Sequence, residues 1–105
     1  MTINNLHKIK KDDCAVIIID MQYDFIAEDA QIESPGGRDI IPSVLILPPW
    51  ARKNDIPVMY TQEMHRKQKV DFGMELERHE PEHCLEGTKG VEIIEELKPK
   101  ENDYV

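Results

Sequence analysis

Residues 14–19, Cys-Ala-Val-Ile-Ile-Ile, are uninterrupted apolar sequence, and the run stops at a carboxylate, Asp20. A short β-branched run of this kind predicts a strand buried on both faces, as parallel strands between helix layers are. A second such run, residues 56–61 (Ile-Pro-Val-Met-Tyr-Thr), follows the turn signal Asn54-Asp55. Pro57 is tolerable at a strand's start, where no ladder donor is needed. Between the runs lie a polar segment from Glu28 to Gly37, ending in Ser-Pro-Gly-Gly, and an apolar-periodic segment from Asp39 to Lys53. That periodicity predicts an amphipathic helix with Asp39 as N-cap, and Pro48-Pro49 predicts a kink or stop near Leu47, because proline inside a helix costs about 3 kcal/mol. Strand, loop, helix, turn and strand make a βαβ unit, whose parallel strands end at one edge of the sheet. Asp20 and Glu63 are thereby expected to face one cleft. Tyr104-Val105 reads as the first step of a third strand.

Ligands of open parallel α/β sheets bind beyond the carboxyl ends of the strands, so Asp20 stands where chemistry is done. A simpler reading has it capping the following turn through backbone N–H groups. A phosphotransferase of the haloacid dehalogenase type requires Asp-x-Asp after the strand, and the second position here is Gln22. A receiver domain requires an acidic pair on an earlier strand, whereas Asp12 and Asp13 open the same one.

Composition narrows the partners. The formal net charge is -8, from 21 acidic and 13 basic residues. That sign opposes attraction to phosphate, so neither nucleic acid nor an anionic membrane is an expected partner. With no apolar run near the ~20 residues that cross a bilayer, and a polar N-terminus, a cytoplasmic location is expected. Cys14 and Cys84 are the only cysteines. Their separation suggests neither a disulfide framework nor a thiolate metal site; both are expected to be reduced, with Cys14 buried and inert.

The motifs IIIDMQYDF, SPGGRDIIP, IPVMYTQE with His65 beyond it, and HCLEGTKGVEIIEEL occur in this order along the chain. Together they resemble the isochorismatase-like cysteine hydrolases, which include nicotinamidases and N-carbamoylsarcosine amidohydrolases. The resemblance implies an α/β fold, a Rossmann-like αβα sandwich around a parallel sheet, of which this chain carries roughly the first half. It implies hydrolysis of a C–N bond in a small amide, ureido or carbamoyl substrate by an Asp, Lys, Cys triad. Asp20 matches the triad aspartate, which takes the thiol proton and passes it to the leaving amine. The family's lysine and cysteine fall beyond ENDYV, so residues 1–105 read as a partial domain lacking both, doubtfully active alone. An inactive half-domain serving as an assembly or binding module is the alternative.

Phe25 matches an aromatic pocket wall or is ordinary core. His65 and Arg66 match the substrate pocket. Glu63, His65 and His83 fall where nicotinamidases carry metal ligands, and two imidazoles with a carboxylate suffice for a divalent ion. The bland alternative has His83 bonding its own turn. No organic cofactor is implied. The family completes its pocket with later residues and a neighbouring subunit, which implies homo-oligomerisation or completion by another polypeptide segment. The charged HRKQK and VEIIEEL runs are expected to be solvated surface.

Overall fold

The computed structural model describes residues 8–105. Strands β1 (Val16–Ile19) and β2 (Val58–Thr61) pair in parallel, with Val16 opposite Val58 and Ile19 opposite Thr61. Tyr104 adds to the other side of β2 through Tyr104 N–H to Val58 O (2.9 Å) and Tyr60 N–H to Tyr104 O (2.8 Å). The start of a third strand thus lies where the sequence predicts it, and β1 is left as an edge among the described residues.

Side chains alternate across the sheet, and the two faces meet different fates. Ile18, Val58 and Tyr60 are buried on one face, together with Ala51, Ile56, Ile41, Ile94 and Leu97. Each large aliphatic buried there contributes about 2 kcal/mol. On the other face Ile17 is 53 % exposed and Ile19 65 %. The expectation that β1 is buried on both faces is therefore corrected: helices cover one side only.

Between the strands the chain makes a single helical turn, α1 (Tyr23–Ile26), which sequence periodicity missed because four residues cannot show a period. After the loop come a 3₁₀ turn at Arg38–Ile40, α2 (Ile41–Val44) and α3 (Leu47–Lys53). Asp39 lies inside the 3₁₀ turn and caps nothing, which corrects the predicted N-cap. The predicted break occurs, and the helix then restarts: Pro48 and Pro49 fall in the first turn of α3, where the missing N–H groups have no intrahelical acceptor to lose. α3 ends in a Schellman motif. Asp55 takes a left-handed conformation (φ 56°), Ile56 N–H donates to Ala51 O (2.9 Å) and Asp55 N–H to Arg52 O (3.3 Å). Asparagine and aspartate pay least, after glycine, for that conformation.

Residues 62–89 are turns without regular elements, and residues 89–97 return through 3₁₀ turns at Lys89–Val91 and Glu95–Leu97. The VEIIEEL run is amphipathic: its Val91, Ile94 and Leu97 are buried while its glutamates face solvent. Among the described residues no helix is long and apolar enough to cross a membrane.

Candidate active site and metal centre

Asp20 follows β1 with φ 51°, a turn that ends the strand and starts the chain toward α1. Its N–H donates to the Thr61 carbonyl (3.3 Å) and to Thr61 Oγ1 (3.1 Å), and the Thr61 hydroxyl donates to Asp20 Oδ1 at 2.7 Å. The last residue of one strand thereby fixes the carboxylate after the other. Asp20 and Phe25 line one depression of about 480 Å³, walled by Met21, Ile26, Pro35 and Ile40. His65 and Arg66 lie outside it. Glu63 also lies outside this depression, although it and Asp20 both bear on the Cys84 thiol. Arg66 is exposed and donates through Nε to Asp71 Oδ2 (3.0 Å). That bond and the Arg66 backbone N–H hold the Asp71 carboxyl below the usual carboxylate range, against the opposing effect of its desolvation.

The residue that joins these parts was not anticipated. Gln22 is 0 % exposed. Its Nε2 donates to Glu63 O and to Val91 O, both at 2.8 Å, and its Oε1 accepts the Glu63 N–H at 2.8 Å. Gln22 thus clamps the segment after β2 to the segment after Gly90. Asp24 is the second unanticipated residue. Its Oδ2 accepts the Cys84 N–H at 2.7 Å, and Gly90 lies so close that a Cβ there would stand 2.0 Å from the same oxygen. Both signals lay inside the IIIDMQYDF motif, as polar side chains just beyond a buried strand.

Neither thiol is placed as a nucleophile. Cys84 is buried, takes φ 48°, and its thiol is pushed up to about 12, first by burial and then by the charges of Glu63, Asp24 and Asp20. Cys14 precedes β1, at the opposite end of the strand from Asp20. It is half-buried rather than buried, which corrects the expectation, because only one face of the sheet is covered. Its Sγ–H donates to Lys11 O at 3.5 Å, and both cysteines are free.

Glu63 and His65 are two residues apart in an extended segment, a spacing that sends side chains to one side. Backbone bonds from His65 N–H to Cys84 O and from Glu86 N–H to His65 O, each 2.8 Å, carry residues 83–86 against that segment. Glu63, His65 and His83 consequently each offer a ligand atom, all within 4.8 Å of one another. His83 Nδ1 lies 2.8 Å from Pro81 O, the turn contact that the bland reading expected, and it leaves Nε2 toward Glu63 Oε2 at 3.0 Å. The Phe72 ring stacks on His65 at 3.8 Å, and the Phe25 ring stands 6.0 Å from that of His83. Glu63 Oε2 and both ring nitrogens of His65 are buried without a hydrogen-bond partner. Buried polar atoms almost always have one, so these side chains fit a divalent ion better than they fit one another.

A parallel sheet with an aspartate at the carboxyl end of its first strand, and a histidine and carboxylate cluster beyond its second, defines an α/β fold with a candidate site at the strand ends. The isochorismatase domain family matches residues 14–105, and the chain belongs to it. A probable inactive nicotinamidase of Arabidopsis thaliana is 33 % identical over 94 residues, covering 85 % of this chain and 47 % of the relative. An isochorismatase-like hydrolase from Alkaliphilus metalliredigens superposes with a TM-score of 0.73 at 40 % identity, over 86 % of this chain and 48 % of that one. A pyrazinamidase from Pyrococcus horikoshii, solved in complex with zinc, gives 0.72 at 27 % identity, over 86 % and 48 %. The chain spans about half the length of these relatives.

Proposed function

We propose that residues 1–105 are the N-terminal half of a hydrolase domain that cleaves a C–N bond of a small amide, ureido or carbamoyl compound, with Asp20 as its general acid and base. The observation that carries this reading is the anchoring of Asp20 by Thr61 at the carboxyl end of β1. Thr61 occupies Oδ1 and leaves Oδ2 to take a proton. Asp20 would take it from a cysteine thiol as sulfur attacks the carbonyl carbon, and return it to the amine as the C–N bond breaks; water then releases the acid from the thioester. The cysteine and its lysine partner come from residues outside this sequence, since neither Cys14 nor Cys84 is suited to attack. Phe25 forms one wall of the Asp20 depression. His65 and Arg66 border the substrate only from the neighbouring cluster, through the loop they anchor. The pocket and the open edge of β1 are completed by the second half of the domain, within the same polypeptide or in another segment or subunit.

Glu63, His65 and His83 hold a divalent ion in this reading, as the zinc complex of the Pyrococcus relative suggests. Such an ion supplies Lewis-acid or structural charge.

The test is release of ammonia or amine from a panel of small amides by the complete protein. Asp20→Asn should cut turnover by several orders of magnitude while binding persists. Near-normal turnover in that variant removes Asp20 from the mechanism. A second reading, a non-hydrolytic member, is favoured by the Arabidopsis relative's description as a probable inactive nicotinamidase. Absence of turnover in the complete wild-type protein across the panel would support it.

A further inference from the structure

On the face of the sheet that the helices cover, α3 and residues 95–100 flank a pocket of about 390 Å³. Its apolar walls are Leu45, Pro48, Pro49, Leu97 and Pro99, and Tyr60 and Arg52 line it between them. It shares no lining residue with the depression at Asp20. We propose that this pocket binds a small monocarboxylate with an apolar body, its carboxylate taken by the Tyr60 hydroxyl and the Arg52 guanidinium. The proposal goes beyond the hydrolase reading and does not depend on it.

The first observation is an unused donor. Tyr60 is 4 % exposed, yet its hydroxyl only accepts: Arg52 Nη2 donates to it at 3.4 Å, and among the described residues the O–H has no acceptor. Burial pushes that hydroxyl up from its ordinary value, against the lowering effect of the Arg52 charge, so it keeps its proton at neutral pH and is a donor. A buried donor without an acceptor is destabilising, and a ligand oxygen relieves it. The second is a guanidinium fixed in place. Arg52 Nε and Nη2 both donate to Asp103, which leaves Nη1 without an acceptor among the described residues. Because Tyr60 and Arg52 meet at the hydroxyl and both line the pocket, its polar donors gather at one end.

The rim decides the sign of the ligand. Lys98 and Lys100 line the pocket, are exposed, and form no ion pair among the described residues. Of the two glutamates that also line it, Glu96 is paired with Arg38 (3.8 Å), and only Glu95 is left to oppose an anion. The surplus of unengaged positive charge favours a negative ligand. The walls decide its body. A fully hydrated anion would leave the five apolar residues facing water, whereas an aromatic or aliphatic acid covers them. A largely apolar pocket with a few convergent polar groups, within the range of about 300–1,000 Å³, is the ordinary form of a small-molecule site.

The experiment titrates the complete protein calorimetrically with benzoate, with benzyl alcohol and with inorganic phosphate. Benzoate should bind saturably, and at least about 10-fold more tightly than either comparator, as a hydrogen bond to a charged group implies. Tyr60→Phe keeps the ring and removes only the O–H, and should weaken benzoate about 10- to 100-fold. Leu45→Glu alters an exposed wall residue and sets a carboxylate at the pocket's mouth. It should abolish binding, and it keeps the test open should Tyr60→Phe fail to fold. An acid seated in the Asp20 depression would be indifferent to both substitutions, and that result overturns the proposal. So does the absence of benzoate binding by the complete protein. Phosphate matching benzoate would mark a site for charge alone, and benzyl alcohol matching it a site for the apolar body alone; either overturns the monocarboxylate assignment.

Discussion

The Gln22 side chain carries four hydrogen bonds in full burial, one of them a long contact to Cys84 Sγ, and its replacement tests how far this chain depends on one polar side chain. Val91 O has a second donor in Gln62 Nε2 (2.9 Å), so Gln22→Leu orphans chiefly the Glu63 N–H and C=O. Two unmade buried hydrogen bonds cost about 2–5 kcal/mol. Denaturant unfolding should show a loss of that size, and a change below ~1 kcal/mol would mean the clamp is dispensable. Gly90→Ala should destabilise as well, because its Cβ would displace the Asp24 carboxylate from the Cys84 N–H. The two thiols should part under alkylation near pH 8. Cys14 should react, while Cys84, buried with a thiol pushed up to about 12, should label only on unfolding. Two rapid equivalents in the native protein would contradict the burial of Cys84.

At the scale of elements, the Arg52 and Asp103 pair locks α3 to the residues that precede the third strand. Arg52 Nε donates to Asp103 Oδ1 at 3.1 Å, and Arg52 also reaches Tyr60 Oη at 3.4 Å. The bond from Arg52, aided by the Lys100 N–H, holds the Asp103 carboxyl below the usual carboxylate range despite its burial. A depressed carboxylate stabilises above its unfolded value, about 3.9, and that contribution is lost as pH falls through the folded value. Asp103→Asn should therefore be less stable than wild type at pH 7, and the gap should close below about pH 4. A constant gap across that window would place the cost in packing instead of charge. The strands, the break near Leu47 and the start of the third strand were legible in the sequence because each rests on local composition. The one-sided burial of β1 was not, since burial depends on what lies across the sheet. Gln22 escaped for a related reason. It bonds partners 41, 62 and 69 positions away, which no local pattern shows. Glu63, His65 and His83, named from a strand end and from motifs, do lie together in the structure, and Asp20 does follow β1; the roles of all four are proposals.

For the whole molecule, the uncovered face of β1 decides what the chain requires. Ile17 and Ile19 present apolar surface beside an unpaired strand edge, a combination that folded proteins cover. Replacing both with threonine should raise the solubility of the isolated 105 residues and weaken their association with the rest of the domain. Unchanged solubility would indicate that this face is already covered by a surface of the same fragment. The central claim, that these residues are one half of a hydrolase domain, is met most directly by the intact mass of the polypeptide purified from its natural source. The account expects a mass roughly twice the 12.2 kDa of this sequence, as its relatives' lengths imply, with a cysteine and a lysine in the added half. A mass of 12.2 kDa, with no second polypeptide co-purifying to complete the sheet, would contradict it.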